Sequence, residues 1–295
     1  MSAAPPVGRF APSPTGPLHL GSLFAAVGSW LDARAAGGRW LLRIEDLDPP
    51  REIPGAADEI LRALEAHGLV WDGPVLYQSS RQEAYRAALA ELEREGLLFR
   101  CRCPRRRIRS LGGRYDGRCR SLGMTPTTAP HAVRLQVPAE TIAFRDRLRG
   151  PFAQDLLRDV GDFVLVRRDG LVAYQLAVVV DDAAQAVTDV VRGADLLEST
   201  PRQLLLQRLL RLPEPRYLHL PLLLGPDGSK LSKQTGAPGL DPRRARENLT
   251  RVLAWLGLEG APGEPPGRQL AAATGSWDPS RLPRQARTVP DRERR

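Results

Sequence analysis

The chain has 295 residues and a formal net charge of +9 at pH 7, a length that allows one large domain or two to three small ones. The positive balance favours a polyanionic partner, although it also suits simple solubility. No signal peptide opens the sequence and no apolar run is long enough to cross a membrane, which predicts a cytoplasmic protein.

The N-terminal part is predicted to form a strand, a tight turn and a helix. Residues 7–11 are interpreted as a short buried strand, residues 12–17 are rich in proline, and apolar residues recur at helical spacing over 23–31. The free N–H groups and the dipole at such a helix N-terminus suit a phosphate group. His19 adds an imidazole there, and Gly21 permits close approach to the backbone. His19 alone would be better explained as an ordinary turn residue.

A second buried strand is predicted for residues 39–44, and it leads directly into an acidic segment. Acids at the C-terminal end of a parallel strand lie where open α/β sheets bind their ligands. Asp46 and Asp48 could instead cap the next helix. Glu45 is closest to the strand, and it is the preferred ligand for a substrate ammonium group.

Helices follow over 56–67 and 81–95, and their alternation with apolar runs predicts βα units and a parallel sheet. Asp169-Gly170 predicts a hairpin between strands at 162–168 and 171–180. Further strands are predicted at 131–137, 187–191 and 217–224.

Two more helices are predicted towards the C-terminus. The first begins at Thr200 as the cap with Pro201 at the first helical position, and it ends near Leu212. The second covers about 241–256. From Gly260 onward the chain is rich in Pro, Gly and Arg, which predicts a poorly ordered tail.

All three cysteines, Cys101, Cys103 and Cys119, lie in one short segment, which favours a local metal site over disulfides. Three thiolates supply most of a tetrahedral zinc shell, and a metal can stabilise a segment too small to bury a core. Three unligated cysteines are the alternative. The candidates for a fourth ligand are Tyr115, Asp116 and His131, of which histidine is the commonest ligand type.

Residues 230–234 read Lys-Leu-Ser-Lys-Gln and follow a glycine-containing turn. Lys230 and Lys233 can reach a polyphosphate, where their charge would be worth most as pyrophosphate leaves. Taken alone, they would be better explained as two solvated surface charges.

The stretches at 19–22 (His-Leu-Gly-Ser) and 230–234 together resemble the His-Ile-Gly-His and Lys-Met-Ser-Lys-Ser motifs of class I aminoacyl-tRNA synthetases. The string Arg-Phe-Ala-Pro-Ser-Pro-Thr-Gly at 9–16 is similar to the glutamyl branch. Several more strings, including Cys-x-Cys-Pro at 101–104, resemble a family of shortened paralogues, the glutamyl-Q tRNA(Asp) synthetases. The resemblance covers about 7–256.

The resemblance implies an α/β fold: a Rossmann-like nucleotide-binding domain with a parallel sheet, a small insert held by zinc, and no anticodon-binding domain. The implied ranges are 1–98 for the first half of the catalytic domain, 99–125 for the zinc insert, 126–234 for the rest of an acceptor-type insert and the second catalytic half, 235–259 for a helical segment, and 260–295 for a flexible tail rich in Pro and Arg.

The implied reaction activates L-glutamate with ATP and Mg²⁺ to glutamyl adenylate, then transfers the glutamyl group to queuosine at the wobble position of tRNA(Asp). A truncated glutamyl-tRNA synthetase that charges tRNA(Glu), a non-catalytic tRNA-binding paralogue and another adenylating nucleotidyltransferase are the alternatives. A monomer is expected.

The resemblance also assigns residues to roles. The glutamate contacts are Arg9, Phe10, Ala11, Pro12, Ser13, Glu45, Tyr174 and Arg192, with Arg9 on the side-chain carboxylate and Glu45 on the ammonium. The ATP contacts are His19, Gly21 and Lys233, and the catalytic residues are His19, Lys230 and Lys233. The zinc ligands are Cys101, Cys103, Tyr115 and Cys119, so that Tyr115 replaces His131 as fourth ligand. Ser22 and Gln234 depart from the general class I motifs.

Overall fold

The structure is a computed structural model that describes residues 4–123, 129–231 and 237–290. Its helices are α1 (Leu20–Ala35), α2 (Ala56–Ala66), α3 (Gln82–Arg94), α4 (Arg105–Ser110), α5 (Arg118–Ser121), α6 (Leu156–Asp159), α7 (Tyr174–Ala184), α8 (Thr200–Leu209), α9 (Ala245–Trp255) and α10 (Pro266–Gly275). Its strands are β1 (Val7–Phe10), β2 (Arg39–Ile44), β3 (Leu76–Tyr77), β4 (Leu98–Cys101), β5 (Ala132–Leu135), β6 (Thr141–Asp146), β7 (Gly150–Asp155), β8 (Val164–Val166), β9 (Asp189–Gly193), β10 (Arg216–Leu220), β11 (Leu223–Leu224) and β12 (Arg287–Thr288).

Parallel strands form the centre of the molecule, as the sequence predicts. β1 pairs with β2 and β2 with β3, and β9 pairs with β10, all in parallel. Thr188, just before β9, joins the two groups, because its N–H donates to Val7 O at 2.9 Å. The strand order is therefore β10-β9-β1-β2-β3. The chain runs from β1 outward through β2 to β3, and later returns to the other side of β1 for β9 and β10. The boundary between β1 and β9 is therefore the switch point at which such sheets bind ligands.

α1 is packed between the parallel sheet and the C-terminal helices. It contacts β1, β2 and β9 on one side and α9 and α10 on the other. Leu23, Val27 and Leu31 have no exposed surface. This first core therefore depends on C-terminal residues that the composition led us to expect as a loose tail.

The expectation of a poorly ordered tail is wrong for the described residues up to 290. Leu270 and Ala273, three residues apart on α10, are buried against the first core. Trp277 Nε1 donates to Asp32 Oδ1 of α1 at 3.0 Å, and β12 pairs with β11. Few apolar residues suffice here because they lie at helical spacing and face an already formed core.

A second core is formed by residues from α3 to β10. It packs the antiparallel sheet β4-β5-β8, the hairpin β6-β7 and helices α7 and α8 around residues such as Leu176 and Leu205. The second arm of the predicted 162–180 hairpin is wrong, because Tyr174–Ala184 is helix α7. Only the bridge between Val166 and Val172 remains of the hairpin. A segment that is apolar on nearly every side carries no periodicity that separates strand from helix.

The third and smallest cluster contains two of the cysteines. Cys101, Tyr115 and Cys119 are its buried members, and Phe99, Cys103 and Ile108 pack against them. No helix of the described residues is long and apolar enough to span a membrane.

Candidate active site

A pocket of about 380 Å³ opens where β1, β2 and β9 end. Every predicted glutamate, ATP or catalytic residue within the described chain lines it, namely Arg9, Phe10, Ala11, Pro12, Ser13, His19, Gly21, Glu45, Tyr174, Arg192 and Lys230. Lys233 lies outside the described residues, together with Ser232 and Gln234. The roles that the sequence assigns to these side chains stay predictions.

Backbone hydrogen bonds hold the proline-rich turn against the acidic segment. Glu45 N donates to Pro12 O at 3.0 Å, and Ile53 N donates to Pro14 O at 3.0 Å. The prolines fix the backbone of the turn and leave their carbonyls as acceptors. As a result Glu45 lies beside the end of β1, although more than thirty residues separate the two in sequence.

A buried ion-pair network forms the floor of the pocket. Arg9 Nε and Nη2 donate to the two oxygens of Asp182 at 3.1 and 3.3 Å. Arg43 Nη1 is 2.8 Å from Asp182 Oδ1, and Arg43 Nη2 is 3.6 Å from Glu45 Oε1. Two guanidinium groups therefore share one carboxylate, and Glu45 lies at the edge of the network.

The two carboxyl groups of this network are shifted in opposite directions. Burial alone would raise the pKa of Asp182, but the charges of Arg9 and Arg43 outweigh it and hold that pKa below its usual range. Burial raises the pKa of Glu45 more than Arg43 and Arg9 lower it. A further cation in the pocket would therefore favour the ionised form of Glu45.

Arg192 is buried on the other side of the pocket, and its hydrogen-bond partners among the described residues are uncharged groups. Its Nη1 donates to Tyr174 Oη at 3.3 Å. Its Nη2 donates to Thr200 Oγ1 at 2.9 Å and to Leu196 O at 3.4 Å. Its Nε donates to His219 Nε2 at 3.1 Å. The prediction that Thr200 caps α8 is wrong, since Ser199 is at the cap position and the Thr200 hydroxyl binds Arg192 instead.

His19 caps the helix at which a phosphate is expected. Its Nδ1 accepts from Ser22 N at 3.2 Å, and its side chain is buried at the mouth of α1. Because Nδ1 accepts, the neutral ring carries its proton on Nε2. The same residue therefore satisfies an N–H group of the helix and presents a donor.

Gly21 and Lys230 bring the two sequence signatures into contact. A Cβ at Gly21 would lie 2.9 Å from Leu231 O and 3.0 Å from the His19 ring, so only glycine fits. Lys230 Nζ is 2.5 Å from Asp195 Oδ2 in the loop after β9. The Lys230 segment is thereby held over the N-terminus of α1.

The three cysteines of the insert converge as the sequence predicts. Their sulfur atoms all lie within 4.8 Å of one another, and Cys103 Sγ is 3.5 Å from Cys119 Sγ. Burial and the neighbouring thiols raise the pKa of Cys103 to about 11. Burial works against ionisation of Cys119 too, but hydrogen bonds, first from Tyr115, lower its pKa to about 7. One thiol of the cluster thus ionises readily.

The candidates for a fourth ligand differ in what they contact. Tyr115 Oη accepts from Cys119 N at 2.7 Å, so its hydroxyl lies at the sulfur cluster. Asp116 forms an ion pair with Arg107 at 2.5 Å, and His131 Nδ1 is 2.9 Å from Ala129 O. Among the described residues, neither Asp116 nor His131 joins the group that could hold a metal.

Sequence reasoning missed the residues that support the pocket: Arg43, Asp146, Asp182, Asp195 and His219. A usable signal existed for Arg43 and Asp182, because each is a charge inside an apolar run and such a charge needs a partner. No signal in the sequence pairs them across more than a hundred positions.

Comparisons with known proteins agree on one family. A family model described as tRNA synthetases class I (E and Q), catalytic domain, matches residues 7–248. The chain is 53% identical over 292 residues to the Glutamyl-Q tRNA(Asp) synthetase of Pseudomonas entomophila (strain L48), covering 98% of each chain. It is 53% identical over 294 residues to the protein of that name from Pseudomonas aeruginosa PAO1, covering 97% of each.

The fold is similar to that of solved synthetases. A Glutamate-tRNA Synthetase from Elizabethkingia anophelis superposes with a TM-score of 0.82 at 26% identity, covering 98% of this chain and 68% of that chain. A glutamate tRNA ligase from Elizabethkingia meningosepticum, solved in complex with its amino acid, gives a TM-score of 0.81 at 26% identity, covering 96% and 67%.

Proposed function

Because the chain belongs to the glutamyl-Q tRNA(Asp) synthetases, within the class I synthetases for glutamate and glutamine, we propose that it activates L-glutamate with ATP and transfers the glutamyl group to queuosine at the wobble position of tRNA(Asp). The transfer acylates a hydroxyl of the modified base and releases AMP. No covalent enzyme intermediate is needed, so the rate comes from positioning and electrostatics.

The uncompensated charge of Arg192 is the observation that carries this proposal. Arg9 and Arg43 share the carboxylate of Asp182, whereas every hydrogen-bond partner of Arg192 in the described chain is uncharged. A guanidinium group that is only 5% exposed is costly to bury without an anion. A substrate carboxylate, bound through Arg192 and the Tyr174 hydroxyl, supplies that anion.

Glu45 suits the other charged end of an amino acid. Its raised pKa reflects burial that the Arg43 and Arg9 charges only partly offset. An α-ammonium group beside Glu45 would favour the ionised carboxylate and complete the charge balance of the pocket. Arg9 is already bound to Asp182 through Nε and Nη2, which leaves Nη1 for the glutamate carboxylate that the sequence assigns to it.

The second substrate fits the end of the pocket at α1. The His19 Nε2–H and the helix N-terminus can donate to the ATP phosphates. Lys230, and Lys233 beyond the described residues, would stabilise the charge that develops on pyrophosphate. Mg²⁺ would be held mainly through phosphate oxygens.

The charge distribution supports an RNA partner. Residues 99–123 contain nine arginines and one acid, Asp116, so this segment carries eight of the nine net positive charges of the chain. Arg105, Arg106 and Arg109 on α4 are all exposed. Clustered arginines of this kind bind phosphates of the nucleic acid backbone.

We also propose that the cysteine cluster holds zinc. Three converging sulfurs with the Tyr115 hydroxyl beside them fit a four-coordinate structural site, and the cluster around them is too small to serve as a conventional core. We expect close to one zinc per chain by elemental analysis, and chelation should lower the thermal unfolding midpoint. A protein that contains no metal and whose thermal unfolding midpoint does not change with chelator would contradict the proposal.

Transfer of labelled glutamate tests the main proposal. The protein is incubated with ATP and with tRNA(Asp) that carries either queuosine or guanosine at the wobble position, and with tRNA(Glu) in parallel. Label on the queuosine-bearing tRNA alone is the expected result. Label on tRNA(Glu) would identify a charging enzyme instead, and no label on any tRNA would support a non-catalytic paralogue.

A further inference from the structure

A buried chain of hydrogen bonds leads from the end of β6 to the back of Arg192. His219 on β10 and Asp146 have no exposed side-chain surface, and His219 Nδ1 is 2.6 Å from Asp146 Oδ2. Asp146 Oδ1 also accepts from the N–H groups of Leu148 and Arg149 at 2.9 and 2.8 Å. The carboxylate is therefore fixed before it meets the ring.

The donors at each end set the tautomer of the ring. A guanidinium Nε–H can only donate, so His219 Nε2 must offer its lone pair to Arg192. The ring proton then lies on Nδ1 and is donated to the Asp146 carboxylate. Burial lowers the pKa of His219 more than Asp146 raises it, which keeps the ring neutral and able to accept.

The same contacts determine which part of Arg192 faces the pocket. Of the five N–H groups of a guanidinium, Nε–H is used by His219, one Nη1–H by Tyr174 and the two on Nη2 by Thr200 and Leu196 O. One Nη1–H remains, next to the Tyr174 hydroxyl. Both residues line the pocket, so this edge is the one that a ligand meets.

We propose that Asp146 and His219 are positioning residues for substrate glutamate: Asp146 fixes the His219 ring, and the ring holds Arg192 with its Nη1 edge towards the substrate carboxylate. The inference rests on the proposed function, in which Arg192 binds that carboxylate. The proposal gives the β6-β7 hairpin a role at the site, because the hairpin contributes Asp146. Asp146 itself does not line the pocket.

Asp146→Asn tests the chain of contacts with almost no change in shape. An Asn amide can donate to His219 Nδ1, which moves the ring proton to Nε2 and places two donors face to face at Arg192. We expect the KM for glutamate in glutamate-dependent pyrophosphate exchange to rise about 10- to 100-fold, the range typical of losing an outer partner that orients a ligand-binding side chain. The KM for ATP should change little.

Asp189→Asn is the matched control. Asp189 is another buried aspartate, paired with Arg147 at 3.3 Å and Arg216 at 2.9 Å, and it does not line the pocket. A purely structural effect would change the KM for glutamate equally in both variants, and that result would overturn the proposal. His219→Gln, whose amide oxygen can replace Nε2 as the acceptor, should retain a KM nearer to that of the native protein than His219→Leu does.

The ring tautomer can be read in the native protein without any variant. The chain has only four histidines, so ¹⁵N signals of the rings can be assigned by single substitutions of the other three. A proton on Nδ1 of His219 is expected, and a proton on Nε2 would overturn the proposal. If the native protein shows no glutamate-dependent exchange at all, the proposed function fails, while the tautomer measurement still decides the contact between His219 and Arg192.

Discussion

At the scale of single residues, the partner of each buried arginine decides what that arginine can do. Arg43 is fully buried, and its charge is neutralised by the carboxylates of Asp182 and Glu45. Arg192 is nearly as buried but has only neutral partners in the described chain. The two residues are of the same type and both are buried, so they differ in the charge of their partners. Arg43 is already neutralised, whereas Arg192 still favours an anion beside it.

His19 combines two tasks that a substitution can separate. Its Nδ1 caps α1, and its Nε2 is the predicted phosphate donor. In His19→Asn the side-chain oxygen can still accept from Ser22 N, so we expect the free energy of unfolding to stay within about 1 kcal/mol of the native value. The rate of pyrophosphate exchange should fall about 10²-fold, because a donor aimed at developing charge is lost.

His131→Asn is the control for this prediction, because His131 lies in the insert, outside the pocket, with its ring Nδ1 beside the carbonyl of Ala129. It should leave the exchange rate unchanged. Urea unfolding and exchange are measured on both variants. A large loss of stability with an unchanged rate in His19→Asn would mean that His19 serves the helix alone.

At the scale of elements, one buried histidine joins an N-terminal helix to a C-terminal one. His67, at the end of α2, has Nδ1 2.6 Å from Ala63 O and Nε2 3.1 Å from Asn248 Nδ2 of α9. Its Nδ1 therefore carries the proton and its Nε2 accepts. Burial lowers the pKa of His67 more than the Ala63 carbonyl raises it.

This link makes stability depend on pH. Since the folded pKa of His67 lies below the unfolded value of about 6.5, its contribution is complete above that pH and is lost as the pH falls below it, when only the unfolded chain binds the proton. We expect the free energy of unfolding to fall on acidification from pH 7.5 to 5.5, and to fall less steeply in His67→Gln, whose oxygen can still accept from Asn248. Parallel curves for the two proteins would contradict this role.

Element types could be predicted from the sequence where flanking residues or a one-sided apolar pattern mark the element. β2 has the predicted bounds, 39–44, because its apolar run is flanked by Gly38 and an acidic segment. The sequence could not identify α7 as a helix, since a run of Leu, Ala and Val suits a buried helix as well as a strand. Composition also misjudged α10, whose few apolar residues fit a core built by distant segments.

At the scale of the whole molecule, the positive charge is concentrated on the cysteine insert. In Arg105→Gln/Arg106→Gln/Arg109→Gln we expect weaker binding of tRNA(Asp) and a salt dependence whose log–log slope is smaller by about 2 to 3, because each lost phosphate contact removes nearly one unit. Glutamate-dependent pyrophosphate exchange should be unchanged. Filter binding at several salt concentrations measures the affinity for tRNA(Asp) and the slope of its salt dependence.

A second triple variant removes the same charge elsewhere. Arg268, Arg281 and Arg287 are exposed arginines of the C-terminal part, and their change to Gln should leave the slope near that of the native protein. If both triple variants weaken binding equally, net charge alone attracts the RNA. The insert would then have no special part in binding.

The sequence predicted the residues that line the candidate site but not the residues that support them. The signature strings at 9–22 and 230–234 hold most of the residues predicted to contact a ligand, and they can be recognised because those residues are adjacent in sequence. The groups that hold them, such as Asp182 behind Arg9 and His219 behind Arg192, come from strands and helices that meet only in the folded chain. Distance in sequence, and not burial or charge, hid them.

The two-residue strand β11 has hydrogen bonds along both of its edges. On one side Leu231 N donates to Leu223 O at 2.7 Å, and on the other Arg287 N and Val289 N donate to Leu222 O and Leu224 O, each at 2.8 Å. The segment of Lys230 and residues 287–289 are thus both bonded to the same short strand. Residues 287–289 and the segment of Lys230 are therefore mechanically coupled through β11, so a change that frees β12 would also loosen the lysine that the sequence predicts to be catalytic.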